Sequence, residues 1–206
     1  MRMKTALIVV AALSTVVVLP ARADQAEPGV ASPAAAVRNP RPGLMIFVRY
    51  GSFQPASDIF KEVYGPGPVF GGEFRLRLFS GLHLSLEAGS FKKTGGLTVT
   101  HDATKMTITP LEAMAVYHVL PGKITPYAGA GVCLASYRES SQLGTVTGSG
   151  FGYVVCGGVA ARWRFIGLDA RLKYASIKDT PFKDEVDFSG LTFDVGIGLS
   201  LGGSIN

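Results

Sequence analysis

The side chains that could do chemistry in this chain are few: three histidines, two cysteines and a scatter of carboxylates. His83, His101 and His118 show no pairwise spacing of the kind that ligates a metal. His101 stands next to Asp102 with no third ligand in view, and His118 lies beside a turn. His83 and Glu87 would share one face of a strand, which permits a proton relay. An interior polar pair satisfied by neighbouring charges is the simpler reading of the same spacing. The runs Gly129-Ala130-Gly131 and Gly157-Gly158 lack the following Lys-Ser/Thr and the helix start of a phosphate loop. In strands, such glycines mark tight curvature or room for a large neighbour. No catalytic, cofactor-binding or metal residue is therefore assigned, no cofactor is expected, and the chain reads as a non-enzyme.

The elements that must position these residues follow from composition. With 26 glycines, 10% aromatic and only 17% charged residues in 206, the chain reads as all-β, and its 47% apolar content excludes disorder. A net charge of +5 raises nucleic acid as a partner. The basic residues, however, are scattered among apolar ones within strands and form no stripe along which phosphates could track, so no nucleic-acid partner is expected.

Residues 1–23 have the three parts of a secretory signal peptide: Arg2 and Lys4, the apolar run Ala6 to Leu19, and Ala21-Arg22-Ala23 as a cleavage site before Asp24. Residues 24–42 mix Pro, Ala and small polar residues without a period, as a flexible leader would. No later stretch is long and apolar enough to span a bilayer as a helix, so any spanning after export falls to strands.

From residue 43 the apolar residues recur at every second position. Leu191, Phe193, Val195, Ile197, Leu199 and Leu201 alternate with small or polar residues, and Ile166, Leu168, Ala170, Leu172 and Tyr174 alternate with Gly167, Asp169, Arg171, Lys173 and Ala175. Leu82, Leu84, Leu86 and Ala88 oppose His83, Ser85 and Glu87. Phe70, Gly72, Phe74, Leu76 and Leu78 oppose Gly71, Glu73, Arg75 and Arg77. With Leu44 to Phe53, Met106 to Val119, Ile124 to Tyr137 and Phe151 to Arg162, these make eight strands. The links alternate in length: long at 54–67, 94–104, 138–150 and 179–187, short at Ser80-Gly81, Leu120 to Lys123 and Arg162 to Arg164.

This asymmetry and the long alternating strands predict an eight-stranded antiparallel up-and-down transmembrane β-barrel over residues 43–202, with its long loops outside and both ends of the barrel domain in the periplasm. A Lys or Arg facing lipid at mid-bilayer costs about 2–4 kcal/mol. The apolar face must therefore meet lipid, and the charges must fill an interior salt-bridge network without an open pore. A soluble lipocalin-like barrel would need the reverse pattern.

Three stretches carry a family resemblance: Val69-Phe70-Gly71-Gly72-Glu73-Phe74, Thr125-Pro126-Tyr127-Ala128-Gly129-Ala130-Gly131-Val132, and Phe193 to Leu199. Over residues 43–202 the chain resembles the small eight-stranded outer-membrane barrels of the OmpA, OmpX and OmpW type, including opacity-protein-like surface antigens. The resemblance implies the bacterial outer membrane as location, and lipid or lipopolysaccharide, the barrel-insertion machinery and an external ligand at the loops as partners. It leaves open a structural or surface-interaction role, a surface adhesin or receptor, a narrow porin-like channel for small solutes, and a lipid A-modifying enzyme. The last would need a His-Ser-acid constellation near the lipid face, and no His lies close to a Ser in the outward register of the later strands.

Two finer expectations concern the loops. Ser57-Asp58-Ile59-Phe60-Lys61-Glu62-Val63-Tyr64 carries a capping residue and apolar positions for a turn or two of helix, reading as a lid packed over the barrel mouth or as a contact for an external ligand. Cys133 and Cys156 both fall on the inner face. Antiparallel pairing about Gly144 and Thr145 would set them opposite one another for a disulfide, and the alternative is two unpaired small residues filling the interior.

Overall fold

The computed structural model describes residues 43–79, 81–96, 103–120, 122–142, 144–179 and 186–201. The residues read as signal peptide and leader, and His101 and Asp102, lie outside the described residues. Period-two sequence becomes strand throughout: β1 (Leu44–Pro55), β2 (Gly67–Arg77), β3 (Leu82–Gly96), β4 (Ala103–His118), β5 (Ile124–Ser141), β6 (Gly144–Trp163) and β7 (Ile166–Asp179). The two-residue β8 (Val186–Asp187) pairs with the end of β7, and β9 (Gly190–Leu201) completes the set. Each long strand pairs antiparallel with its neighbours, and β1 pairs with β9 from Leu44↔Leu201 to Pro55↔Gly190, closing an eight-stranded barrel. Closure leaves no unpaired strand edge, the condition for a sheet to sit in lipid.

The side-chain faces fall as the alternation requires. Leu84, Phe74, Phe193, Ile197 and Leu168 look outward, with Phe193 57% exposed, while Glu73, Arg75 and Ser85 are fully buried within the bore. Outward positions form bands along the strands. β7, for example, runs from Ile166, Leu168 and Leu172 through Tyr174 and Ser176 to Lys178, and β5 from Val132 and Leu134 through Ser136 to Arg138.

The links depart from expectation at one place. Within 138–150, read as the third long loop, residues 138–141 and 144–150 are strand: β5 and β6 remain paired as far as Ser141↔Gly144. Ser136, Arg138, Ser140, Thr145, Thr147 and Ser149 keep the period of two but not the apolar contrast, because a strand that has left the bilayer is wetted on its outer face. The hairpin turns at Gly144, whose φ of 136° favours glycine.

The tighter turn overturns the disulfide. Cys133 lies opposite Gly152 and Cys156 opposite Gly129, so the pair is four residues out of register. At about 3.3 Å per residue that is roughly 13 Å, beyond the roughly 7 Å that a bridge can span between Cα atoms. Both thiols are free and buried. The slip is even, so both remained on the inner face.

The loop between β1 and β2 holds the expected helix, α1 (Asp58–Val63), with Ser57 as N-cap accepting from the Phe60 amide at 3.5 Å. Phe60 is buried and Ile59 points outward.

Candidate functional site

Among the described residues polar chemistry is concentrated in the bore, where it is layered along the barrel axis. In the central layer Arg49 of β1 donates to three carboxylates on three strands: Nε to Glu73 at 2.5 Å, Nη1 to Asp194 at 2.5 Å and Nη2 to Asp169 at 2.8 Å. Arg75 donates to Glu73 at 2.7 Å and Asp169 at 3.2 Å, with its guanidinium 5.1 Å and 5.0 Å from the ring centres of Phe47 and Tyr127. Arg171 joins Glu87 at 2.8 Å to Asp194 at 2.9 Å, and Lys173 links Glu87 at 2.9 Å to Glu112 at 2.8 Å. Ser85 and Tyr127 donate to Glu73 at 2.6 Å and Asp169 at 2.7 Å.

Every barrel strand except β6 contributes to this network. β6 supplies space instead: Gly158 lies against the Tyr127 ring, where a Cβ would collide. The planar, multi-donor guanidinium suits such bridging, since one Arg can satisfy several carboxylates in fixed geometry. The network fills the cross-section with side chains that are almost wholly buried.

Above it, toward the long-loop end, the bore turns apolar. Phe53, Phe91, Met106, Ile108, Tyr137 and Ile177 line it, and Phe60, Tyr64 and Phe188 roof it. Phe60 packs on Phe53, Tyr64, Phe91 and Phe188 at 4.9–6.5 Å between ring centres. The Tyr64 hydroxyl donates to Glu139 at 2.5 Å and lies 3.2 Å from Thr104 Oγ1, pinning the loop to β4 and β5. Burial, and then the Glu139 bond, push that hydroxyl above its ordinary pKa range.

A cavity of about 50 Å³ remains under this roof, with Glu87, Glu112 and Lys173 among its lining. It has room for a few waters or a small group. Its wall includes Gly89 and Pro110, where the β3–β4 ladder is interrupted between Ala88↔Leu111 and Phe91↔Ile108. Pro110 has no N–H to give. On the lipid side, next to the gap, Gly72, Ala88 and Ala113 lie in a groove walled by Phe74, Leu111 and Phe151.

The histidines behave differently from their sequence reading. His83 and Glu87 share the inner face but do not pair, because Glu87 is taken by Arg171 and Lys173. His83 meets His118 instead, with ring centres 4.5 Å apart, at the end of the barrel that carries the short turns. Both lie on inward positions beside those turns, a signal present in the sequence but usable only once the β3–β4 register is fixed. Among the described residues no group of three or more His, Cys, Asp or Glu is arranged to hold a metal ion.

No protein-family model and no curated protein matches the chain. Solved structures do. The outer membrane protein OprG from Pseudomonas aeruginosa superposes with a TM-score of 0.61 at 12% identity, covering 79% of this chain and 97% of that one. Neisserial surface protein A gives 0.56 at 15% identity, over 77% and 96%. Ail, the attachment invasion locus protein of Yersinia pestis, crystallised with the heparin analogue sucrose octasulfate, gives 0.50 at 13% identity, over 78% and 99%. With its lipid-compatible exterior and ion-filled bore, the chain has the fold of the small eight-stranded bacterial outer-membrane β-barrels.

Proposed function

We propose that this chain is exported after cleavage of residues 1–23 and serves as a non-enzymatic outer-membrane barrel with a structural or surface-interaction role. The observation that carries this reading is the closed network of Arg49, Glu73, Arg75, Asp169, Arg171 and Asp194 across the bore. A bore blocked by interlocked charges favours an anchor over a water-filled pore. Function then falls to the parts that face outward. The α1 loop is one. Another is the set of outward basic residues Lys92, Lys105, Arg138 and Lys178, which lie beyond the apolar band where outer-leaflet phosphates would be met. The Ail complex, in which a barrel of this fold carries a sulfated sugar analogue, is in keeping with an anionic external ligand.

Two measurements test the proposal. In planar bilayers the purified protein should give no stepwise conductance, and a stable open channel would refute the anchoring role. Lipopolysaccharide should bind more weakly when Lys92, Lys105 and Arg138 are together replaced by Gln.

A further inference from the structure

The short-turn end of the bore carries cations that the network leaves unpaired. Arg77 at the end of β2 stands opposite His83 at the start of β3. His118 closes β4, and Arg162 lies near the end of β6. All four point inward, with Arg75 one inward position deeper on β2. Buried nitrogens on four of these five residues have no hydrogen-bond partner among the described residues: Arg75 Nη2, Arg77 Nε, His118 Nε2 and Arg162 Nε. Arg75 is fully buried and His118 is 7% exposed. The residues are near enough to act on one another electrostatically: Arg75, Arg77 and Arg162 all bear on His83, and Arg75, Arg162 and His83 on His118.

Among the described residues no carboxylate is left over at this level. Asp169, the acid that bears on both Arg162 and His118, already accepts from Arg49, Arg75 and Tyr127. The one network carboxylate with a single cation is Glu112, which pairs with Lys173 farther up the bore, while Glu87 is shared by Lys173 and Arg171. The two histidines do not make this a cation site, because the charges around them are arginines. Their Nδ1 atoms are already engaged, His83 with the Gly81 carbonyl at 3.3 Å and His118 with Thr125 Oγ1 at 3.2 Å. Buried guanidinium nitrogens without a partner at this mouth call for an anion, and several N–H donors from separate strands suit one with several acceptor oxygens.

We infer that the periplasmic mouth of the barrel is a binding site for a phosphate-type oxyanion, held by Arg75, Arg77 and Arg162 with His83 and His118 beside it. The anion reaches the site from periplasmic water, since the network closes the bore above. A phospholipid headgroup offers the same chemistry from the inner leaflet, and the test separates the two sources.

Purified protein refolded in detergent is titrated with inorganic phosphate, with chloride at matched ionic strength as control, while the Arg Nε–H and His ring resonances are followed by nitrogen-15 NMR. Saturable shifts at Arg77, Arg162, His83 and His118 with phosphate alone are expected. Replacing Arg77 or Arg162 by Gln should weaken binding roughly tenfold or more each, and Arg162→Lys should restore part of it. Both arginines are half-exposed and unpaired, so their loss relieves repulsion and the fold should survive. In phosphate-free buffer the Gln variants should unfold at equal or higher urea than the parent. Shifts that appear only with phospholipid bicelles would reassign the anion to a headgroup and overturn the free-anion inference. Equal shifts with chloride, or phosphate binding only after residues 24–42 are deleted, would also overturn it, the latter by making Asp24 or Glu27 the occupant.

Discussion

The two halves of the bore solve the same packing problem by opposite means. The charged half is built on ion pairs satisfied by one another across six strands, and the half toward the long loops on aromatic and aliphatic side chains under a six-residue helix. Apart from Glu112, which has Lys173 alone, each member of that ionic network is bound by two or more partners in fixed geometry, so it has one arrangement. The apolar half is held by non-directional contacts and a few polar ties, among them Tyr64 to Glu139 and Lys93 Nζ to the Pro66 carbonyl at 2.9 Å, and it retains a cavity. Directional, multiply shared bonds give a rigid floor. Dispersion contacts beneath a loop give a roof that can open locally without unfolding the barrel.

The sharpest way to break this contrast is to unbalance the floor. Arg171→Ala leaves Glu87 and Asp194 each short of a partner in a sealed bore, and removing one member of a buried ionic cluster costs about 3–5 kcal/mol. Urea unfolding in lipid should register that loss in full. Replacing Phe60 by Ala in the roof should cost less, up to about 3 kcal/mol, and the loss should be local. Protease should then nick residues 56–66 faster while the global unfolding midpoint moves little.

The wall separating both halves from lipid is comparable in size. Leu84→Arg and Phe193→Arg place a cation on the lipid face and should each cost about 2–4 kcal/mol, less toward the membrane surface. Ser85→Arg, one residue away on β3, meets no free space: Ser85 is fully buried and bonded to Glu73. It should be at least as damaging as Leu84→Arg, and a mild effect would mean that the floor is looser than its geometry implies.

Most of this architecture was legible in the sequence because a bilayer imposes a binary pattern on every strand it touches. Glu73, Arg75, Asp169, Arg171 and Asp194 could be assigned to the bore because no other environment tolerates them opposite Phe74, Leu168 and Phe193. Pairing register was not legible. Shifting β5 against β6 by an even number of residues changes no side chain's face, so the turn near Gly144 could be misplaced without any contradiction on the strands, and the cysteines were paired wrongly as a result. The same blindness hid His83 from His118. Strand beyond the bilayer was hidden too, since Thr145, Thr147 and Ser149 carry no apolar contrast to separate them from a loop. The apolar roof was foreseen only as one loop packing its own residues, because Phe60, Phe91, Tyr137 and Phe188 meet from four separate elements.

The smallest expected effect tests the clasp that holds the roof down. Tyr64 keeps its proton because burial and the bond to Glu139 both disfavour the phenolate, so its folded pKa lies above its unfolded value of about 10. The sign follows from linkage: a raised folded pKa contributes stability that is fully present below about pH 10 and is lost as pH rises through the folded value, because the unfolded chain releases the proton first. Roof closure, read as resistance of residues 56–66 to protease, should therefore be flat through neutral pH and weaken only above about 10. Tyr64→Phe removes the hydroxyl and its bonds to Glu139 and Thr104, at a cost of about 0.5–1.5 kcal/mol near neutrality, and it should flatten this loop's alkaline limb. If the Tyr64→Phe protein keeps the parent's alkaline limb, another group fastens the roof and the clasp is incidental.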